Sequence, residues 1–253
     1  MIMSNYRGVN TSKLVDAHCH LHEFTDQELV NYCRDDLLIN AVSDDYLSSL
    51  RTLDIVSKCR NVLPSVGLHP WNIGKVDISK ELRSLSELVS RVRFLGEVGI
   101  DKRFVPETYD KQLEVFKYFL ELARDYGLGV NVHAVSTWDE VIKLLTKYDI
   151  RIAIIHWYTG PTELLKDIES LGYYITINPA VRIQLKHREV VMKAPIEIIL
   201  TESDGPYVYR GMRLVPTMVL ETLHEIAKIK DTSFEEVSTS ILKNFMKVFK
   251  SCL

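Results

Sequence analysis

Val15-Asp16-Ala17-His18-Cys19-His20 opens on an apolar step and closes on two histidines spaced i, i+2. On a β-strand successive side chains alternate faces, so residues two apart point the same way. His18 and His20 therefore project together from a strand end, with Cys19 on the other face. Asp16 shares their parity one step deeper, where a carboxylate can bind or orient a cation or an imidazole. Two imidazoles on a rigid element chelate a divalent metal through nitrogen. Two nitrogens do not complete a coordination shell, and the rest of the chain must supply the others.

Working outward, similar β-branched runs recur at Leu37–Ser43, Val62–Leu68, Arg93–Gly99, Gly129–His133, Arg151–His156, Gly172–Asn178 and Glu197–Glu202. With Leu14–His18 they make eight candidate strands. Amphipathic stretches lie between them, clearest at Lys111–Tyr126, Trp138–Tyr148 and Thr162–Leu171. In the first, Leu113, Phe116, Phe119, Leu120 and Ala123 recur at helical spacing. Gly127 and Gly172 punctuate helix ends. Alternating β and α units imply a parallel sheet. Eight units predict a closed (β/α)₈ TIM barrel, with a doubly wound open sheet as the alternative. Two more helices, Met218–Lys230 and Phe234–Lys250, finish the chain by packing outside the barrel. With no linker, low-complexity tract or internal repeat, residues 1–253 read as one domain.

Composition bounds the function. The hydrophobic content of 46% suits a protein with a substantial core, and the net charge of −3 advertises no global attraction for nucleic acid. Cys19, Cys33, Cys59 and Cys252 show no C-x-x-C pairing and read as reduced thiols. The polar start of the chain lacks an apolar signal core, and no run approaches the roughly 20 apolar residues of a membrane span. A cytoplasmic location is the expectation, with no membrane and no obligate protein partner.

The polar residues of a barrel of this kind carry chemistry at the C-terminal ends of its strands. Six of the eight histidines fall there: His18, His20, His22, His69, His133 and His156; His187 and His224 lie in helical stretches. Glu97 and Asp101 close the fourth run, and Glu202 and Asp204 the eighth. His18, His20, Glu97, His133, His156 and Asp204 are more donors than one four-coordinate ion needs and suit two ions bridged by a carboxylate. Glu97, central in strand order, is the natural bridge. Two ions about 3.5–4 Å apart acidify water and stabilise attacking and leaving oxygens. Asp204 then manages the nucleophile's proton, and Glu202 orients a histidine or water. His69 is a donor to substrate or a turn residue stiffened by Pro70. Among the basic residues near strand ends (Lys102, Arg103, Arg182, Lys186, Arg188, Arg210), Arg103 is the one assigned to substrate. Trp71, Trp157, Tyr158 and Tyr207 offer rings on which a base can stack.

Taken in order, DAHCH (Asp16–His20), GLHP (Gly67–Pro70), GEVGID (Gly96–Asp101), VHA (Val132–Ala134), IHWYTG (Ile155–Gly160), TESDGPY (Thr201–Tyr207) and Asn244-Phe245 resemble the TatD family of metal-dependent hydrolases, within the amidohydrolase superfamily. The resemblance spans nearly the whole chain. It implies a (β/α)₈ barrel, a centre of one or two divalent ions (Zn, Mn or Mg), and a metal-dependent DNase, often a 3′–5′ exonuclease. It also implies metal roles for His18, His20, Glu97, His133, His156 and Asp204. Gly129–His133 holds no lysine that could be carboxylated as a bridge, and no H-A-G-E motif points to a deaminase. Departures from the family pattern are His22, Lys102, Arg103, Trp157, Tyr158 and the Ser203 and Gly205 positions, all around the mouth. DNA, single-stranded or at 3′ ends, is the expected substrate. The competing reading is a carboxylic ester or amide hydrolase, such as a D-aminoacyl-tRNA deacylase or a lactonase. A barrel retired from catalysis and kept as a scaffold is the third, and the complete ligand set speaks against it.

Overall fold

The apolar runs form strands because each is buried on both faces, the condition under which parallel strands read as continuous hydrophobic stretches rather than alternating ones. The computed structural model describes residues 13–250. It contains β1 (Leu14–Cys19), β2 (Leu37–Ala41), β3 (Val62–Val66), β4 (Phe94–Asp101), β5 (Gly129–Val135), β6 (Ala153–Ile155), β7 (Tyr174–Ile177) and β8 (Ile199–Thr201). Each strand pairs in parallel with the next, in chain order. The first and last strands meet across a seam. Thr201 Oγ1 donates to the Val15 carbonyl (2.5 Å), the Asp204 amide to His18 O (3.0 Å) and the His20 amide to Gly205 O (2.8 Å). That arrangement is a nearly closed (β/α)₈ barrel and excludes the open sheet.

Helices cover the outside: α1 (Asp26–Leu29), α2 (Tyr46–Lys58), α3 (Ile78–Ser86), α4 (Tyr109–Tyr126), α5 (Trp138–Lys147), α6 (Leu165–Ser170), α7 (Leu185–Lys193), α8 (Val219–Ile229) and α9 (Phe234–Val248). The predicted apolar stripe of α4 is the face it buries, with Phe116, Phe119, Leu120 and Ala123 at most 1% exposed. Gly127 ends α4 in the left-handed conformation (φ 65°), and the Leu128 amide then reaches back to the Ala123 carbonyl. At the end of the chain Phe249, just past α9, packs at a tilt against Phe245 and against Phe94, the first residue of β4, which ties α9 to the N-terminal end of that strand. The two-residue strands β9 (Val208–Tyr209) and β10 (Met212–Arg213) form a small hairpin after β8.

β4 and β5 run further than expected, to Asp101 and Val135, whereas β6 and β8 stop before His156 and Glu202. Registers shift in β1 between Asp16 and Cys19, and in β4 between Leu95 and Val98. Such irregularities re-aim side chains, and these two flank His18 and Glu97.

The cysteines also depart from the reading of reduced thiols. Cys33 and Cys59 form a disulfide with Cα atoms 5.0 Å apart, a separation within the bonding range. They are 26 residues apart and are brought together where α1 and α2 meet the outer face of the barrel. Cys19 is buried and free, and Cys252 lies outside the described residues. Among the described residues, no helix is long and apolar enough to cross a membrane.

Gly99 shows why the GEVGID run carries glycine. Its φ is 150°, and a Cβ there would lie 2.0 Å from the His133 carbonyl oxygen. Gly99→Ala is expected to destabilise the protein by at least about 2 kcal/mol, through forced separation of β4 from β5, read as a shift of the urea unfolding midpoint.

Candidate metal centre

The six predicted ligands come from five strand ends and converge at one mouth of the barrel. Glu97, 1% exposed, lies at their centre. Its backbone is pinned by paired bonds to Ser43: the Ser43 amide donates to Gly96 O (3.0 Å) and the Glu97 amide to Ser43 O (2.8 Å). Each carboxylate oxygen faces its own group of imidazoles. Oε2 lies 3.1 Å from His18 Nε2 and 3.2 Å from His20 Nε2. Oε1 lies 2.7 Å from His133 Nδ1, 2.9 Å from His156 Nε2 and 3.2 Å from His69 Nε2. Asp204 Oδ1 completes the first group at 3.5 Å from both His18 and His20.

The hydrogen bonds behind the rings decide which nitrogens are free. Asn131 Nδ2 donates to the Ala17 carbonyl (2.9 Å), which turns Asn131 Oδ1 toward His18 Nδ1 (2.8 Å). That nitrogen must carry the hydrogen, leaving Nε2 of neutral His18 as a bare lone pair. His133 is set in the same way. Its Nε2 faces Asp101 Oδ2 (2.9 Å), so its free lone pair is Nδ1, aimed at Glu97. His18 Nε2 and His20 Nε2 stand 3.2 Å apart, and Glu97 Oε2 is buried without a hydrogen bond. Lone pairs of nitrogen and carboxylate oxygen pointing at one another in a dry site require positive charge between them, from a metal ion or from protons. The donor set fits divalent metal: His18, His20 and Asp204 would hold an ion on one side of Glu97, and His133 and His156 offer donors on the other.

The titration behaviour has the same origin. Burial would raise the Glu97 carboxyl, yet His156, His69 and His18 hold it well below the usual range. Burial likewise opposes ionisation of Asp204, but bonds from His18 and His20 keep it low. Burial and His156 would lower His18, while Glu97 and Asp204 hold it up at about 9. His20 and His156 are raised against their burial, by Asp44 and Glu97 respectively. The carboxylates thus demand positive charge, which protons or metal ions supply in exchange.

The profile of a family described as TatD related DNase matches residues 15–250. The chain belongs to the TatD family. An uncharacterized metal-dependent hydrolase of Methanocaldococcus jannaschii is 32% identical over 252 residues, covering 94% of this chain and 97% of its own. The uncharacterized metal-dependent hydrolase YcfH of Escherichia coli K12 is 29% identical over 254 residues, covering 93% and 95%. Among solved structures, the TatD homologue YJJV of Escherichia coli K12 superposes with a TM-score of 0.86 at 22% identity, over 95% of this chain and 99% of that one. A TatD family hydrolase of Entamoeba histolytica gives 0.79 at 17%, over 94% and 98%. These two likenesses establish the shared fold.

Around this TatD centre lies a cavity of about 310 Å³, lined among others by His69, Trp71, Arg103, Phe104, Trp157, Tyr207 and Tyr209. The four residues assigned to substrate (His69, Arg103, Trp157 and Tyr207) all reach it. His69 Nδ1 accepts from the Trp71 amide (3.1 Å), so its Nε2–H points at Glu97. Trp157 is edge-on to Tyr207 and Tyr209, and its Nε1 donates to Gln184. One ring offered for the mouth turns away from it. Tyr158 is fully buried and donates to the Pro161 carbonyl. Lys102, Arg182 and Arg188 are engaged by Glu140, Glu221 and Glu225. Glu202, expected to orient a histidine or water, stands behind the cavity wall in a position to do so. It accepts from the Trp157 amide (2.9 Å) and Asn178 Nδ2 (3.2 Å), with Oε2 3.8 Å from His156 Nδ1, and so acts from behind that ring. Asp16 orients the seam: its Oδ1 accepts from the Ser203 amide (2.9 Å), and burial pushes its carboxyl up to about 7.

Three residues behind the site were not assigned roles from sequence: Asp44, Asn131 and His187. Asn131 left the one available signal, an amide inside an apolar strand run. His187 is buried on α7, and its Nε2 accepts from the Asn178 amide (3.2 Å). Asn131→Ala frees the His18 ring and should weaken metal binding by roughly 10–100-fold, read by competition with a chromophoric chelator. Burial lowers His187 to about 3. It is therefore neutral in the folded protein, and its contribution is present above pH 6.5 and lost as pH falls toward 3. Unfolding free energies should drop over that window by up to about 1.4 kcal/mol per pH unit on this account, and His187→Gln should remove that component.

Proposed function

We propose that this TatD-type metal-dependent hydrolase is a deoxyribonuclease that cleaves phosphodiester bonds in single-stranded DNA or at 3′ ends. The observation that carries the chemistry is the division of Glu97, one oxygen toward His18 and His20 and the other toward His133 and His156. Bound divalent ions supply an acidified water and neutralise charge on a phosphoryl oxygen. The chain's own residues do the rest. Asp204, held ionised, takes the proton of the attacking water at its carboxylate and returns it to the leaving oxygen. Glu202 and Asn131 keep His156 and His18 oriented, while Asp101 fixes His133.

The rim supports DNA over a carboxylic ester. Trp71, Phe104, Trp157, Tyr207 and Tyr209 surround the opening, and flat rings grip unstacked bases without sequence preference. Tyr207 is 44% exposed, free to meet a base. Arg103 adds a cation beside them. The cavity is at the small end of ligand sites, which suits one extruded nucleotide at a chain end rather than a duplex.

End-labelled single-stranded DNA should be degraded by the metal-loaded protein, with EDTA abolishing turnover and added Mn²⁺ or Mg²⁺ restoring it. Glu97→Ala should lower the rate by about 100-fold or more. A protein that hydrolyses a panel of carboxylic esters but leaves both DNA and bis-p-nitrophenyl phosphate intact would overturn the phosphodiesterase reading.

A further inference from the structure

A second group of donors converges on the rim, outside the six inner ligands. The short turn Leu21–Glu23 follows β1 directly and carries His22 and Glu23. Asp44 stands two residues before α2. His20, His22, Glu23 and Asp44 each place a donor atom within 4.8 Å of the others. Asp44 is held on three sides. Its amide donates to Ser48 Oγ (2.8 Å), inside the capping box of α2, and its carbonyl accepts from the His69 amide (3.0 Å) and Asn72 Nδ2 (3.2 Å).

Within this group His22 and Asp44 turn lone pairs toward each other. His22 Nδ1 lies 3.2 Å from the Val42 carbonyl, which only accepts, so Nδ1 carries the hydrogen. Neutral His22 then turns a bare Nε2 toward Asp44 Oδ2 at 3.2 Å. Asp44 Oδ1 is buried and ion-paired with His20 Nδ1 at 3.0 Å. Among the described residues, no lysine or arginine pairs with Asp44 or Glu23. A proton on His22 would serve Asp44 Oδ2 alone, whereas one cation can be shared by His22 Nε2, Asp44 and Glu23. The 3.2 Å between Nε2 and Oδ2 is also close to the roughly 3.3 Å edge of a tetrahedral shell with 2.0–2.1 Å bonds.

We propose that His22 Nε2, Asp44 and Glu23 bind a further divalent cation at the mouth, of the Mn²⁺ or Zn²⁺ class that mixed imidazole and carboxylate donors select. His20 is not a ligand to it, because its Nε2 belongs to the inner centre and a second bond through Nδ1 would require an imidazolate. Three protein donors leave coordination positions open toward the cavity that His20, Glu23 and Asp44 also line. An ion there holds an anionic oxygen of the substrate one step outside the inner centre. That role rests on the phosphodiesterase reading; the ion site does not.

Counting bound Mn²⁺ by mass spectrometry after equilibrium dialysis of the full-length protein tests the site without an activity readout. His22→Asn and Glu23→Gln should each lose one Mn²⁺ per chain relative to wild type, with circular dichroism verifying the fold. Glu23 is exposed, so its variant is not at risk of misfolding. Glu97→Gln should retain the rim ion, which then disappears on adding His22→Asn. Equal Mn²⁺ counts in wild type and both rim variants would overturn the proposal. Loss of one ion in the rim variants with none lost in Glu97→Gln would uphold the rim site and overturn the inner bridge instead.

Discussion

An ionised carboxylate sealed inside a barrel mouth is tolerable only where positive charge meets it, and Glu97 is that carboxylate. Five imidazoles surround it at 2.7–3.2 Å. The neighbouring architecture serves this one requirement. The register shift in β4 sets Glu97 at the centre, Ser43 pins its backbone, and Gly99 lets β5 close up so that His133 arrives at bonding distance. The seam between β1 and β8 brings His18 and Asp204 to the same side. A change that moves any of these elements exposes or strands the buried charge.

The rings do not choose their own orientation. Behind each stands a group that can only accept, or whose accepting atom is fixed by a further bond: Asn131 for His18, Asp101 for His133, the Val42 carbonyl for His22. Each assigns the hydrogen to the outward nitrogen and leaves the inward lone pair free. The result is a preorganised donor set, with the cost of aligning the rings already met by packing. His156 is steered differently, by charge from Glu202 rather than by a hydrogen bond, since 3.8 Å is too long for one.

Substrate choice resides in a separate layer. The inner donors define hydrolytic chemistry, which phosphodiesters and carboxylic esters share. The rim adds aromatic rings, Arg103 and the His22–Asp44 pair, and several of these positions are those at which the chain departs from the family pattern. A net charge of −3 does not set substrate choice at such a mouth, because binding there depends on the few groups at the opening.

Local rules made much of this molecule legible. The apolar runs, their helical spacers and the placement of histidines and acids at run ends follow from strand and helix periodicity, which acts over a few residues. The barrel, β1 to β8 in order, and the six inner donors could therefore be read from the chain. What periodicity cannot express is which side chains meet across the barrel, since that depends on register, strand tilt and closure. Asp44 carried no motif that would single it out. Tyr158 looked like a rim ring but turned into the core. Asp16 had the parity of a ligand and instead ties β8 to β1. Cys33 and Cys59, 26 residues apart, became partners only once α1 and α2 packed on the same outer face. The donor types and their strand ends were determined by sequence; their distances, free lone pairs and charge state were decided by tertiary structure, because electrostatics in a buried site depends on every group that folding brings within a few ångströms.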